Sequence, residues 1–211
     1  MVDDKQLHII STGKQSIEQF SQIASEIEEF VSYFHIREKS MTANDIYQMV
    51  NQLTKKGVPL SKIIINDRID VSRIVGARGV QLGYRSLPID AVKKSFPELI
   101  IGSSIHSLRE LEHSQRGGAD FVVFGHIFET SSKRGITPRG ISSLQAICQA
   151  SKVPVIAIGG IKPNNVGAVI AAGAKGIAVL SGVLEARDPL SKVKDYFTKL
   201  HEEERSIDSN I

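Results

Sequence analysis

Short β-branched runs recur along the chain at 7–11, 33–37, 62–66, 79–83, 99–103, 121–127, 153–159 and 176–181. Stretches with apolar residues at helical spacing separate them. Ile17, Phe20, Ile23, Ala24 and Ile27 form one such stripe. Ile46, Met49, Val50 and Leu53 form another, ended by Gly57 and Pro59. Further helices are expected over 70–75, 89–96, 107–116, 142–150, 164–172 and 189–204. Strict alternation of strand and helix argues for a parallel sheet. Eight repeats within 211 residues fit a single (β/α)8 TIM barrel of the α/β class. The runner-up, a doubly wound open sheet, lacks the G-x-G-x-x-G turn after its first strand. No linker or low-complexity tract marks a second domain. The barrel is expected over 1–203, with a polar C-terminal tail at 204–211.

Composition narrows the class. Hydrophobic residues make up 41 % and charged residues 23 %, enough apolar material for a core and too much for wholesale disorder. Lys and Arg number 26 against 23 for Asp and Glu, a formal charge of +3. That excess is too slight to demand a nucleic-acid partner. Cys148 is the single cysteine, so neither an intrachain disulfide nor a Cys-rich zinc site is available. No apolar run reaches roughly 18 residues, so no membrane span is expected. The acidic start, MVDDKQLHIIST, lacks the basic-then-apolar order of a signal peptide. A cytoplasmic protein is expected, with a homodimer as its assembly.

In barrels of this type the active site is built at the C-terminal ends of the strands. The second strand reads FHIREK, and alternation puts His35, Arg37 and Lys39 on one side, with Phe34 and Ile36 on the other. Two cations aimed at the barrel mouth suit an anionic ligand. The third strand ends in Asn66-Asp67-Arg68. Asp67 is a candidate to hold a divalent ion, orient an arginine or cap the next helix. Ser103, Ser104 and His106 follow the fifth strand, without the nucleophile elbow that covalent serine catalysis requires. Ser104 reads as a hydrogen-bonding group.

The sixth strand ends in FGHIFETSSKRG. His126 there is either a buried, satisfied histidine or a general acid–base near neutral pH. Glu129, Thr130, Ser132 and Lys133 surround it in sequence. The seventh and eighth strands end in AIGGIKPNN and AVLSGVL. Small residues at strand ends permit close backbone approach, and helix N-termini then face a phosphate. Gly159, Gly160, Leu180, Ser181 and Gly182 are the expected phosphate cradle. His8 reads as core, and His113 and His201 as solvated helix residues. No H-E-x-x-H or histidine cluster has metal-ligand spacing, and no metal or cofactor is expected.

Taken in order, FHIREKS, IIINDRID, GVQLG, IGSSIHSLRE, GADFVVFGHIFETSSK, PVIAIGGI and GAKGIAVLSGV resemble the motifs of the thiamine phosphate synthase superfamily. The resemblance runs through nearly the whole chain. It implies one of two activities. Synthases of this superfamily couple a pyrimidine diphosphate to a thiazole phosphate with magnesium. Arg37, Glu38 and Lys39 match their QLREK motif, with His35 where glutamine is usual. Asn66 and Asp67 match their ND pair, whose aspartate holds magnesium. Their second carboxylate falls where this chain has Ser86, beside Arg85. Their GPIFPTxTK stretch becomes GHIFETSSK, retaining Thr130, Ser132 and Lys133.

The G-H-I-F-E-T form resembles the TenI-type thiazole tautomerases. For them the resemblance implies an isomerase that aromatises a 2-carboxythiazole ethyl phosphate, with the histidine at 126 as acid/base and no cofactor. A non-catalytic protein that binds a thiazole phosphate and regulates through a partner is the remaining alternative. On the tautomerase reading the partner is a small-molecule thiazole phosphate carboxylate. Arg37, Lys39, Arg85 and Lys133 are expected to converge on it at one rim.

Overall fold

The computed structural model describes residues 5–133 and 135–208. Eight strands close into one parallel barrel in chain order. They are β1 (Gln6–Ile10), β2 (Tyr33–Ile36), β3 (Ile63–Asn66), β4 (Gly79–Leu82), β5 (Ile100–Ile105), β6 (Phe121–Gly125), β7 (Val155–Ile158) and β8 (Gly176–Val179). The connecting helices are α1 (Ile17–Ile27), α2 (Ala43–Lys55), α3 (Ile69–Val75), α4 (Ile89–Ser95), α5 (Leu108–Gly117), α6 (Gly140–Ala150) and α7 (Val166–Ala171). A one-turn α8 (Ser181–Leu184), not foreseen from the sequence, precedes α9 (Pro189–Asp208). The predicted tail at 204–211 therefore begins as helix, and 209–211 lie outside the described residues.

Local chemistry sets the helix starts. Ser16 and Thr42 each accept a hydrogen bond from the backbone N–H three residues on. Gln19 Oε1 and Asp45 Oδ2 in turn accept from the cap N–H groups, completing two capping boxes. Ser107 caps α5 through the Glu110 N–H. Leu7, Ile9, Phe34, Ile36, Ile63 and Ile65 point outward and pack under the helices in the main apolar core. Alternation then turns the intervening residues inward.

The ladder registers order that interior. His35 pairs with Ile64, and Ile64 with Gly79. With the shear of eight of this fold, height rises by about one residue per strand. His35, Gln81, Val123 and Ala178 therefore share one layer, drawn from alternate strands. Ile10, Asn66, Ser104 and Ile158 form the layer above it, facing the mouth. His8, Ile64, Gly102 and Ile156 lie below.

A polar chain threads these layers. His8 Nε2 lies 3.0 Å from Gln6 Oε1, and His8 Nδ1 lies 2.9 Å from His35 Nε2. Both rings stand edge-on to Phe121. Burial pushes His35 down to about 3. Burial, followed by the neighbouring His35, holds His8 well below the ordinary histidine range. Both rings are therefore neutral when folded.

A histidine neutral in the fold and protonated near pH 6.5 when unfolded stabilises the fold above pH 6.5. That contribution disappears as pH falls toward 3. Thermal unfolding should show stability falling below pH 6.5 by about 1 kcal/mol per pH unit for each such ring. The double variant His8→Leu/His35→Leu should be markedly less pH-dependent between pH 6.5 and 4; an unchanged slope would refute this account.

Candidate active site

Two cavities open at the C-terminal ends of the strands. The first, of about 580 Å³, is lined by Arg37, Lys39, Asn66, Asp67, Arg85 and Ser104, among others. Arg37 is carried there at the end of β2, where its N–H donates to Ser11 Oγ at 2.8 Å. Glu38, only 8 % exposed, lies behind it and also reaches this cavity. Arg68 is engaged by Asp70, which holds the Asp70 carboxyl below its usual range. Arg37, Lys39 and Arg85 remain to face an anion.

Asp67 sits in left-handed backbone, φ 64°, with its N–H on the Gln81 carbonyl. It does not cap α3, whose N-cap is Arg68 with no side-chain bond. Of its three expected roles, the cap is excluded. Ser86 Oγ accepts the Gly83 N–H at 2.9 Å and closes the turn after β4. Arg85 lies over the Tyr84 ring. A hard divalent ion takes oxygen ligands, preferably anionic. At the position where a synthase supplies its second carboxylate, this cavity has a turn-closing hydroxyl and a guanidinium. The residues present do not fit the two-carboxylate magnesium site.

Ser104 faces inward and accepts the Gln81 Nε2–H at 2.9 Å. Ser103 faces outward and bonds Ser114 of α5. His106 Nδ1 bonds the Gly125 carbonyl at 2.8 Å. The expected rim cluster of Ser103, Ser104 and His106 thus separates, because neighbouring strand residues point to opposite faces.

The second cavity, of about 720 Å³, is lined by Glu129, Thr130, Lys133, Ile136 and Lys162, among others. Lys133 stands here and not with Arg37, so the four expected cations do not converge at one rim. Ser132 is exposed on the short 3₁₀ turn Ser131–Lys133. Lys162 was not selected from the sequence. Its signal was a cation two residues after the paired glycines that follow β7.

His126 is only 4 % exposed. Its Nε2 lies 3.2 Å from the Ile136 carbonyl. A carbonyl only accepts, so Nε2 carries the proton and Nδ1 the lone pair. Its own carbonyl accepts the Arg139 N–H at 2.8 Å. His126 is thus both satisfied, as the bland reading expects, and fixed in one tautomer, as a base requires.

The expected phosphate-cradle glycines have a packing reason of their own. A Cβ on Gly159 would stand 2.2 Å from His126 Cβ, and one on Gly160 2.4 Å from the Glu129 carbonyl oxygen. A Cβ on Gly182 would stand 2.6 Å from Tyr196 Oη. These positions let the loop after β6 and helix α9 close against the ends of β7 and β8. Leu180 leads into α8, and Ser181 is exposed at its start.

The motif order and this barrel meet in one family. A family model described as Thiamine monophosphate synthase matches residues 7–183. The chain belongs to the thiamine monophosphate synthase family. Family members catalyse reactions of thiamine biosynthesis. The chain is 34 % identical to the thiamine-phosphate synthase of Pyrococcus abyssi over 200 residues, covering 93 % of this chain and 95 % of that one. It is 32 % identical over 202 residues to thiamine-phosphate synthase 2 of Streptococcus pneumoniae, covering 92 % and 95 %. Among solved structures, thiamine phosphate pyrophosphorylase from Pyrococcus furiosus superposes with a TM-score of 0.82 at 29 % identity, covering 95 % of this chain and 97 % of that one. A 3-hexulose-6-phosphate synthase, at 17 % identity and TM-score 0.72, covering 92 % and 99 %, shares the fold alone. Among the described residues no helix is long and apolar enough to cross a membrane. No group of three or more His, Cys, Asp or Glu among them is placed to hold a metal.

The packing role of Gly159 makes a direct forecast. Gly159→Ala forces a Cβ against His126 in left-handed backbone, φ 99°. It should destabilise the fold by roughly 2–4 kcal/mol in urea unfolding. Gly83→Ala, which meets nothing within 4 Å, should stay within about 0.5 kcal/mol of the parent. Equal stability of the two variants would show that the loops give way freely.

Proposed function

We propose that this family member is a metal-independent thiazole tautomerase, an isomerase that converts 2-carboxy-4-methylthiazol-ylidene ethyl phosphate to the aromatic 2-carboxythiazole ethyl phosphate. The observation that carries the reading is His126 at the end of β6, with Nε2 committed to the Ile136 carbonyl. Its Nδ1 is the nitrogen that can take a proton. The reaction needs one proton removed from C2 and one delivered to the exocyclic carbon. The double bond shifts into the ring, nothing is transferred to a nucleophile, and aromaticity supplies the driving force. One imidazole can do both steps by protonating at Nδ1 and releasing the same proton.

The substrate carries a carboxylate and a phosphate. Arg37 and Lys39, with Asn66 and Ser104 beside them, suit one anion. Thr130 and Lys133, with Ser132 on the same turn, suit the other. In this reading Gly159, Gly160, Leu180, Ser181 and Gly182 shape the phosphate side through backbone N–H groups. A homodimer, a cytoplasmic setting and the absence of nucleic-acid or membrane partners belong to the same proposal.

A second reading, magnesium-dependent coupling as in a thiamine-phosphate synthase, is favoured by the names of the relatives and by the retained Asn66 and Asp67. Against it stand Ser86 as a turn closer and His126 in place of proline.

A thiamine-forming assay supplied with the unaromatised thiazole separates the two. Wild type should turn over without magnesium, and His126→Ala should lose about 10²- to 10⁴-fold in rate. Turnover of His126→Ala within tenfold of wild type would remove the histidine from the mechanism. Coupling of a pyrimidine diphosphate to a thiazole phosphate only when magnesium is present would establish the second reading instead.

A further inference from the structure

The hydrogen-bond directions inside the barrel are determined one bond at a time. Gln6 Oε1 accepts, so His8 Nε2 carries its proton and His8 Nδ1 is the acceptor. His35 Nε2–H therefore donates to His8 Nδ1. That leaves His35 Nδ1 with a bare lone pair. It has no partner, and His35 is 1 % exposed.

A second orphan lies in the same interior layer. Gln81 Oε1 is also buried without a partner, and Gln81 is 5 % exposed. It occupies the space that a Cβ on Gly102 would fill, 2.2 Å away, beside Phe121 Cζ. The other end of the amide donates to Ser104 Oγ at 2.9 Å. The remaining members of the layer, Val123 and Ala178, are apolar and offer neither acceptor a partner. A buried acceptor left without a partner is costly, and natural interiors fill such places with water.

We propose that His35 Nδ1 and Gln81 Oε1 share one buried water, and that Gln81 so held is a positioning residue that commits Ser104 to donate its hydroxyl proton into the substrate cavity. The water donates one hydrogen to each acceptor. Gln81 is then locked with its N–H on Ser104, whose oxygen is occupied as an acceptor. The Ser104 O–H points to the only side left, the cavity of Arg37, Lys39 and Asn66. A donor hydroxyl suits an anion, and a hydroxyl free to rotate would spend part of its time presenting a lone pair. Hydrogen bonds thus run outward from the water in both directions, through His35 and His8 to Gln6 and through Gln81 to Ser104 and the site. This rests on the proposed substrate for its kinetic arm and on the structure alone for its other arm.

The kinetic arm uses the unaromatised thiazole carboxylate phosphate. Gln81→Leu, which keeps the bulk and removes the donor, should raise KM about tenfold with kcat within about threefold. Ser104→Ala should do the same, and the double variant should add nothing further. Gln81→Glu, which can only accept when ionised, should reverse the Ser104 hydroxyl and bind substrate no better than Gln81→Leu. Additive effects of the two single variants, or loss confined to kcat, would overturn the positioning role. The structural arm is independent of substrate. A crystal structure near atomic resolution should place a water within 3.2 Å of both atoms, and ¹⁵N shifts should report His35 Nδ1 unprotonated. An empty layer, or a proton on Nδ1, would overturn the proposal. If wild type does not turn over the thiazole, the tautomerase reading falls and the structural arm alone decides this one.

Discussion

Closing eight parallel strands removes every sheet edge and turns half of each strand into a space that water barely reaches. Whatever points inward must be apolar or have a partner there. Most such barrels answer with branched aliphatic side chains. Here the interior holds His8, then His35 and Gln81 together, then Ser104 at three successive heights, with aromatic and aliphatic residues filling around them. Two consequences follow from that one constraint. The imidazoles are held neutral, since a charge in this layer would have no compensating partner. Each polar atom must also take a definite hydrogen-bond role, since its neighbour's role is already assigned. Interior packing and the chemistry of the mouth are therefore one system, joined at Ser104.

The mouth depends on the same economy of space. Gly159 and Gly160 carry no side chain where an added Cβ would stand 2.2 Å from His126 Cβ and 2.4 Å from the Glu129 carbonyl oxygen. On the loop after β6 the Ile136 carbonyl accepts the His126 Nε2–H and sets its tautomer. The histidine proposed as the base thereby also anchors a loop. The glycines matter to the site because they let backbone meet backbone, with phosphate contact an additional use of the same turn. Cationic charge is divided between two cavities, with Arg37, Lys39 and Arg85 on one side and Lys133 and Lys162 on the other. Division of this kind suits a ligand with two separated anionic ends better than a single compact anion.

Family membership and residue chemistry bear on different questions. The match over residues 7–183 establishes the scaffold and the thiamine-biosynthesis family. The relatives are named as thiamine-phosphate synthases. Two local features, Ser86 tied to Gly83 and His126 tied to Ile136, are those on which the proposed reaction rests. A shared barrel hosts many chemistries, so the side chains at the strand ends carry more weight for the reaction than the fold does.

Much of the architecture was legible in the residue pattern. Eight strands, their alternation with helices, and the inward side of His35 and Arg37 are consequences of period two and period 3.6, both local properties. Motif order carried the family. Single residues next to a strand end were legible as candidates, His126 and Lys133 among them, because polar groups there are expensive without a use. What could not be read was who meets whom. Ser103 and Ser104 are adjacent yet face opposite ways, Lys133 lies apart from Arg37, and α9 runs past its expected end. Gln81 stood as one polar residue between Val80 and Leu82, a visible signal of an inward position with no sign of its partner. Its place beside His35 follows from the accumulated stagger of the strands around a closed barrel, and His126 meets Ile136 through the path of the loop after β6. Periodicity determines which face a residue occupies; closure and close backbone approach decide what it faces.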